Sequence, residues 1–297
     1  MLTNKIKTVV LLAGLSGLLL FLGNLFGGTA GLQFALIIAL SMNGIAYFFS
    51  DKIVLRLYGA QPLDENEYTW IYLIVQGLCQ NMALPMPKLW LIRTPMANAF
   101  ATGRDPKHAS VALTTGIIDL LEKHELRGVI AHELAHVKNR DILIATVAAT
   151  IATAISYLAS MLQHSMLWST VSARDRRSGG NPFVMFVVAL LMPLAATLLQ
   201  LVLSRSREYL ADETGAHYSD DPLALASALE KLHTNIRQAH LANTNTQHAS
   251  TAPLFIIHPF SSTSWLSLFA THPPMDARIG RLHALYEKRF YSSASTW

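Results

Sequence analysis

An uncharged segment of 43 residues near the amino terminus, residues 8–50, limits the folds open to this chain. A single helix crosses the roughly 30 Å hydrocarbon core of a bilayer with about 20 apolar residues. The segment is therefore too long for one transmembrane helix and fits two. Glycines and a threonine at 27–31 predict a tight turn between a first span, 9–26, and a second, 32–49. A cleaved signal peptide is the alternative, because Lys5 and Lys7 precede the apolar core.

Two further uncharged stretches, 142–173 and 178–204, follow in the second half of the chain. They predict a third span at 142–168 and a fourth at 182–203, with a buried hairpin of a soluble domain as the alternative. The chain is 52% hydrophobic and only 14% charged, whereas about 25% of residues are charged in an average soluble domain. The composition therefore favours an integral membrane protein with about four transmembrane helices.

The orientation in the membrane follows from basic residues at the outer ends of the first two spans. These residues are Lys5, Lys7, Lys52 and Arg56, and the link between the two spans carries no charge. Because lysine and arginine concentrate in short cytoplasmic loops, the amino terminus and residues 51–140 are expected in the cytoplasm. The arginines at 174–177 lie on the predicted outer side and disagree, but the earlier loops usually decide the orientation.

The predicted spans divide the chain into four parts. Residues 1–50 form one membrane hairpin and 141–204 another, while 51–140 and 205–297 are the two halves of a soluble domain. An even number of spans between the halves allows them to fold together on one side of the bilayer. We therefore expect a mainly α membrane protein whose α+β soluble domain contains a small β-hairpin or sheet.

A metal-binding pattern ends the first soluble half. GVIAHELAHVKNRD at 128–141 contains HELAH, an H-E-x-x-H match, and 120–131 has helical apolar spacing without proline. Residues four apart share a helical face, so the imidazoles of His132 and His136 can bind one zinc ion. Glu133 lies beside them, where it can take a proton from an attacking water and pass it to the leaving amine. The alternative is a surface helix that carries two histidines.

A catalytic zinc needs a third protein ligand. The metzincin extension is excluded, because this chain has Asn139 and Ile142 where that motif needs Gly and His. SRSREYLAD at 204–212 is the best candidate: Glu208 would bind zinc, while Asp212 would accept a hydrogen bond from a ligating histidine. The same region contains two rival ligands, Glu213 and His217.

Two more segments are expected to shape the cleft. ANAFATG at 97–103 and SVALT at 110–114 predict two short strands, whose exposed edge could bind an extended peptide as an added strand. A purely structural hairpin fits this pattern equally well. ATHPPMDARI at 270–279 predicts the start of a helix. His272 could donate a hydrogen bond to an oxyanion there or lie on the surface, and Arg278 could hold a carboxylate.

Other features of the sequence exclude classes of function. Cys79 is the only cysteine, so there is no internal disulfide framework. The net charge of +4 comes without a basic stripe that interleaves aromatic residues, which gives nucleic-acid binding no support. The twelve histidines suggest metal transport, but the predicted spans contain no charged residue. A non-catalytic scaffold or chaperone with a structural zinc stays open as the main alternative to an enzyme.

HELAH, SREYLAD, NAFATG and FATHPPMDARI occur here in the order seen in HtpX-type membrane zinc endopeptidases. The chain resembles this family over nearly its whole length. The resemblance implies a zincin-like catalytic domain with one Zn²⁺ held by His132, His136 and Glu208, and with Asp212 supporting a ligating histidine. The resemblance also implies that the substrate-binding edge contains Asn98, Ala99 and Phe100. It implies that two further residues line the centre, His272 and Arg278.

The resemblance also implies a biological setting. The family acts in stress response and in the quality control of misfolded membrane proteins, from a bacterial cytoplasmic (inner) membrane. The implied partners are protein substrates and the lipid bilayer, and the oligomeric state is not indicated. The basic link at 174–177 and the lengthened stretch at 241–266 depart from the family pattern. They bear on outer-side topology and substrate access rather than on the chemistry.

Overall fold

The computed structural model describes residues 2–143, 146–147, 205–242 and 274–294. The fourth predicted span, nearly all of the third, the stretch from 243 to 266 and His272 lie outside these residues.

The first helix, α1 (Leu2–Leu57), is broken at Gly28, where φ is 55° and ψ is −139°. Glycine tolerates this conformation because it has no Cβ. Asn43 Nδ2 donates a hydrogen bond to Ser16 Oγ at 2.8 Å, so the segments on either side of Gly28 lie next to each other. The break falls inside 27–31, where the sequence predicts a turn.

One helix in the described part of the chain, Gly28–Leu57, is long and apolar enough to cross a membrane. Its apolar side chains are largely exposed, including Phe34, Ile37 and Leu40 at 66%, 64% and 65%. Such a surface suits contact with lipid rather than water. The segment before Gly28 has a shorter apolar stretch, Leu12–Phe21.

A four-stranded mixed sheet follows α1, in the order β1 (Gln61–Pro62), β2 (Lys88–Ile92), β4 (Ala109–Thr114) and β3 (Ala99–Gly103). Strands β2 and β4 are parallel, while β3 and β4 form the antiparallel hairpin predicted from the sequence. In this hairpin Ala99 lies opposite Leu113, and Gly103 opposite Ala109. Strand β3 is therefore an edge of the sheet.

The described residues after α1 contain six further α-helices: α2 (Thr69–Met82), α3 (Thr115–Leu120), α4 (Lys123–Lys138), α5 (Arg205–Ser219), α6 (Pro222–Ala242) and α7 (Met275–Ala294). The helix that the sequence predicts from residue 120 begins instead at Lys123. The backbone N–H of Glu122 donates to Glu125 Oε2 at 2.9 Å, a capping contact that starts a new helix and separates α4 from α3.

Helix α4, which contains HELAH, lies at the centre of the core between the sheet and α2, α5 and α6. Its apolar face is fully buried, and burial of each such side chain contributes about 1.5–3 kcal/mol. The buried residues on this face are Leu126, Val129, Ile130 and Leu134. The core thus fixes the direction in which His132, Glu133 and His136 project.

Candidate metal centre

His132, His136 and Glu208 bring three ligand atoms within 4.8 Å of one another. Glu208 Oε2 lies 3.7 Å from His132 Nε2, and Glu208 Oε1 lies 3.8 Å from His136 Nε2. Ligands bound at about 2.0–2.2 Å to a tetrahedral zinc lie roughly 3.4 Å apart. The two carboxylate contacts are a few tenths of an ångström longer than this, while the group as a whole spans up to 4.8 Å, so the side chains would have to close in on a bound ion.

The helix crossing of α4 and α5 explains how a glutamate far along the chain reaches the two histidines. One face of α5 is buried against α4 and carries Glu208, Ala211, Asp212 and Gly215. These positions repeat at three and four residues, as on one helical face. Glu213 and His217, the rival ligands, lie on the exposed side of α5 and line a groove of about 530 Å³ away from the histidines.

The imidazole of His132 is supported by a carboxylate and a guanidinium. His132 Nδ1 lies 2.9 Å from Asp212 Oδ1, a close contact that is not aligned as a hydrogen bond. Arg278 donates to both oxygens of Asp212, from Nε at 2.8 Å and from Nη2 at 2.6 Å. Burial alone would raise the pKa of Asp212, but the charge and hydrogen bonds of Arg278, together with His132, outweigh it and lower the pKa to about 2. Asp212 is thus held ionised beside His132, and Nε2 faces Glu208.

A second carboxylate, which the sequence pattern does not predict, lies behind His136. Asp141 is buried, and its Oδ2 lies 3.4 Å from His136 Nδ1. The turn after α4 places it there: Arg140 has a φ of 58°, and Asp141 N–H donates to His136 O at 2.9 Å. The only signal in the sequence is an aspartate directly after the HELAH helix. Each histidine therefore has its own supporting carboxylate, as ligating histidines usually do.

Glu133 connects the metal centre to the edge of the sheet. Its Oε2 accepts a hydrogen bond of 2.9 Å from the backbone N–H of Ala101 in β3. The side chain is buried, and burial raises the pKa of Glu133, an effect that the neighbouring His132 and His136 oppose. The carboxylate is therefore fixed next to both the candidate ligands and the strand edge.

The residues present fit a zinc ion. Two imidazole nitrogens and one carboxylate form a donor set typical of catalytic zinc. Burial alone would lower the pKa of His136, yet Asp141, Glu208 and Glu133 outweigh it and raise the pKa to about 9. An imidazole that holds a proton this strongly lies in a site that attracts positive charge, and a divalent cation would replace that proton.

The remaining residues singled out from the sequence take different places. Ala99 lies on β3 two residues before Ala101, whereas Phe100 packs away from the metal centre against Tyr58, with ring centroids 5.4 Å apart. Asn98 is buried, and its backbone N–H donates to Thr114 Oγ1 at 2.9 Å. His272 lies outside the described residues.

Arg278, which the sequence predicts to line the site and to hold a carboxylate, lies beside two carboxylates. Its side chain is fully buried, two of its nitrogens bond Asp212, and Nη1 lies 3.9 Å from Glu208 Oε2. This position favours a role in holding Asp212 and Glu208 over direct contact with a substrate.

Zinc metallopeptidases hydrolyse peptide bonds with this kind of centre, and comparison with known proteins places the chain in that class. The model of peptidase family M48 matches residues 65–286. The chain belongs to this family, and it is a membrane-bound, zinc-dependent metalloprotease of the HtpX type. The enzyme class and the cofactor predicted from the sequence are thereby confirmed.

Three relatives, each described as a protease HtpX homolog, show the extent of the similarity. The Thermodesulfovibrio yellowstonii protein is 50% identical over 285 residues, covering 95% of this chain and 98% of the relative. The Syntrophobacter fumaroxidans protein is 48% identical over 283 residues, with 95% and 99% covered. The Desulforapulum autotrophicum protein is 47% identical over 280 residues, with 94% and 89% covered.

Among solved structures, the crystal structure of S. mikatae Ste24p matches with a TM-score of 0.50 and 18% sequence identity. The match covers 95% of this chain and 66% of that one. At this level of identity the comparison supports the fold alone.

Proposed function

We propose that this chain is an endopeptidase that cuts misfolded and membrane proteins on the cytoplasmic side of a bacterial inner membrane, as part of proteolytic quality control. One observation carries the proposal. Glu133, next to the candidate ligand His132 on α4, is hydrogen-bonded to Ala101 of the edge strand β3. A peptide added to that edge would place a backbone carbonyl next to the metal and the base.

The proposed ligands of a single zinc ion are His132, His136 and Glu208. Zinc in such a centre makes water acidic and polarises the carbonyl to be attacked. Glu133 takes the proton of the attacking water and delivers it to the leaving amine. The raised pKa of Glu133 brings its proton affinity closer to neutral pH, which suits a group that must both accept and release a proton.

The surrounding groups position this machinery. Asp212 and Asp141 orient the two imidazoles, and Arg278 holds Asp212 in place. His272 precedes the first residue of α7 by three positions. We further propose that His272 is the oxyanion donor, and the support is its sequence position just before α7, whose Arg278 reaches Asp212.

The proposed topology has four spans, with 51–140 and 205–297 forming one catalytic domain on the cytoplasmic side. The hairpin around Gly28 and the exposed apolar surface of Gly28–Leu57 support a membrane-embedded first part. The basic residues Lys52 and Arg56 at its end support the cytoplasmic orientation.

The test compares the wild type with Glu133→Gln, purified with zinc, on an unfolded protein substrate. The variant should keep one zinc per chain and lose at least about 100-fold in cleavage rate, because it lacks the base. Glu213→Gln, on the exposed side of α5, should cut as the wild type does. Undiminished cleavage by Glu133→Gln would contradict the proposal. Zinc binding without any cleavage by the wild type would favour the non-catalytic scaffold.

A further inference from the structure

Strand β3 runs alongside the last turns of α1. Phe100, near the start of β3, packs against Tyr58, and Arg104, just after its end, lies over the Phe48 ring with Cζ 5.9 Å from the centroid. From Phe48 to Tyr58 the helix rises about 15 Å at 1.5 Å per residue. From Phe100 to Arg104 the strand advances about 13 Å at 3.3 Å per residue. The similar advances between the two contacts indicate that β3 runs along the α1 axis, with the opposite chain direction.

The end of β3 at Gly103 is therefore the end nearer the bilayer. Phe48 and Phe49 are exposed apolar residues of the membrane-crossing helix, and the first charges after them are Asp51 and Lys52. The lipid boundary thus lies near residue 50, at the level where Arg104 contacts the helix. A strand parallel to this helix runs along the bilayer normal, that is, upright on the membrane, rather than in the plane of the membrane surface.

A second contact places the same end of β3 at the membrane. Thr146 lies at the start of the third uncharged stretch, and its Oγ1 is 2.9 Å from Thr102 Oγ1. It also accepts a hydrogen bond of 3.3 Å from the backbone N–H of Gly103. Both apolar segments that flank β3 thus meet it at Thr102–Arg104, independently of each other.

The outward edge of β3 leads from this end to the reaction centre. The N–H groups of Ala101 and Gly103 point away from β4, toward Glu133 and Thr146 respectively, and by strand alternation the backbone of Ala99 faces the same side. Ala101, next to Glu133, is three residues from Arg104, or about 10 Å along the strand. An extended substrate on this edge would thus reach the lipid boundary within a few residues of the bond that is cut.

We infer that the substrate segment cut by this enzyme is the extended stretch directly adjoining a transmembrane span, because the edge that receives it stands upright on the bilayer. This inference rests on the proposed endopeptidase function and adds where in a membrane protein the cut falls. A stretch that emerges from the lipid enters the edge at Gly103, where it replaces the hydrogen bond to Thr146, and continues along it past Ala101, where it replaces the bond to Glu133. A stretch far from any span must turn sharply between β3 and the bilayer to occupy the same edge.

The experiment uses the full chain with zinc, in vesicles of phosphatidylethanolamine and phosphatidylglycerol, together with a single-span substrate. Its unfolded tail carries three identical copies of one cleavable segment, centred about 6, 25 and 45 residues from the span, or roughly 20, 80 and 150 Å when extended. Cleavage after limited digestion is mapped by mass spectrometry. The nearest copy should be cut at least about tenfold faster than the others, equivalent to about 1.4 kcal/mol in the barrier.

The matched control is the same tail without its span, supplied as a soluble peptide. Its three copies should be cut at equal rates, since no lipid anchor favours one of them. Equal cutting of all copies in the anchored substrate, or the same preference in the soluble tail, would overturn the inference and leave the endopeptidase function intact. No cutting of either substrate by the wild type would overturn the proposed function, and the inference with it.

Discussion

Gly215 of α5 lies directly against the backbone of His132 in α4. A Cβ built on Gly215 would be 2.9 Å from the nitrogen of His132 and 3.0 Å from its Cα. Only glycine lets the two helices approach this closely without a shift. Glu208 lies two turns earlier on the same face of α5. The contact at Gly215 therefore sets how near the Glu208 carboxylate comes to the HELAH histidines.

Gly215→Ala should push α5 away from α4, destabilising the protein by about 1–3 kcal/mol, as overpacked cores do, and weakening zinc binding. Thermal unfolding and zinc titration measure the two effects. Gly77→Ala is the matched control, because nothing lies within 4 Å of a Cβ there. It should stabilise α2 by up to about 1 kcal/mol through helix propensity. Wild-type zinc affinity in Gly215→Ala would show that this contact does not set the ligand geometry.

Asp141→Asn should weaken zinc binding by about 10–100-fold, the usual effect of removing a carboxylate behind a ligating histidine. The amide keeps the size of the side chain but removes the charge that holds the His136 imidazole. Competition against a chelating dye measures the affinity. Asp119→Asn, an exposed change on α3, should leave it unaltered. Equal affinities in both variants would exclude the orienting role of Asp141.

The ion pair between α4 and α6 should make stability depend on pH. Glu125 is buried and accepts hydrogen bonds from Ser227 Oγ at 2.6 Å and Lys231 Nζ at 2.8 Å. Burial opposes ionisation, but these bonds outweigh it and lower the pKa of Glu125. Because the folded pKa is below the unfolded value of about 4.3, the pair stabilises the fold above that pH, and the contribution is lost as the pH falls through the folded pKa.

Glu125→Gln should therefore be less stable than the wild type at pH 7, and the difference should shrink on acidification below about pH 4.3. Thermal unfolding of the zinc-free chain across this range measures it, with the exposed Glu230→Gln as control. A difference that stays constant with pH would mean that the charge of Glu125 does not contribute.

Local features of the fold could be predicted because their signals lie close together in the sequence. HELAH needs one helical turn to bring its histidines together, the glycines at 27–31 mark the break in α1, and the two strand patterns at 97–114 are joined by a short polar link. In each case the interacting residues are near neighbours, so periodicity and turn chemistry suffice.

The features that could not be predicted depend on distant partners or on a single turn. β1 and β2 have two and five residues and take their places only from pairing across the sheet. The burial of Arg278 follows from its bond to Asp212, 66 residues earlier. Asp141 reaches His136 only because Arg140 adopts a positive φ. An arginine at that position does not predict such a backbone conformation.

In this account, Glu208 and the two histidines of HELAH bind one ion, and this ion is required for peptide-bond cleavage. The most direct test measures zinc content and cleavage of an unfolded substrate together, in the wild type, Glu208→Ala and Glu213→Ala. We expect one zinc and full activity in the wild type and in Glu213→Ala, and loss of both zinc and cleavage in Glu208→Ala. Stoichiometric zinc with undiminished cleavage in Glu208→Ala would contradict the account.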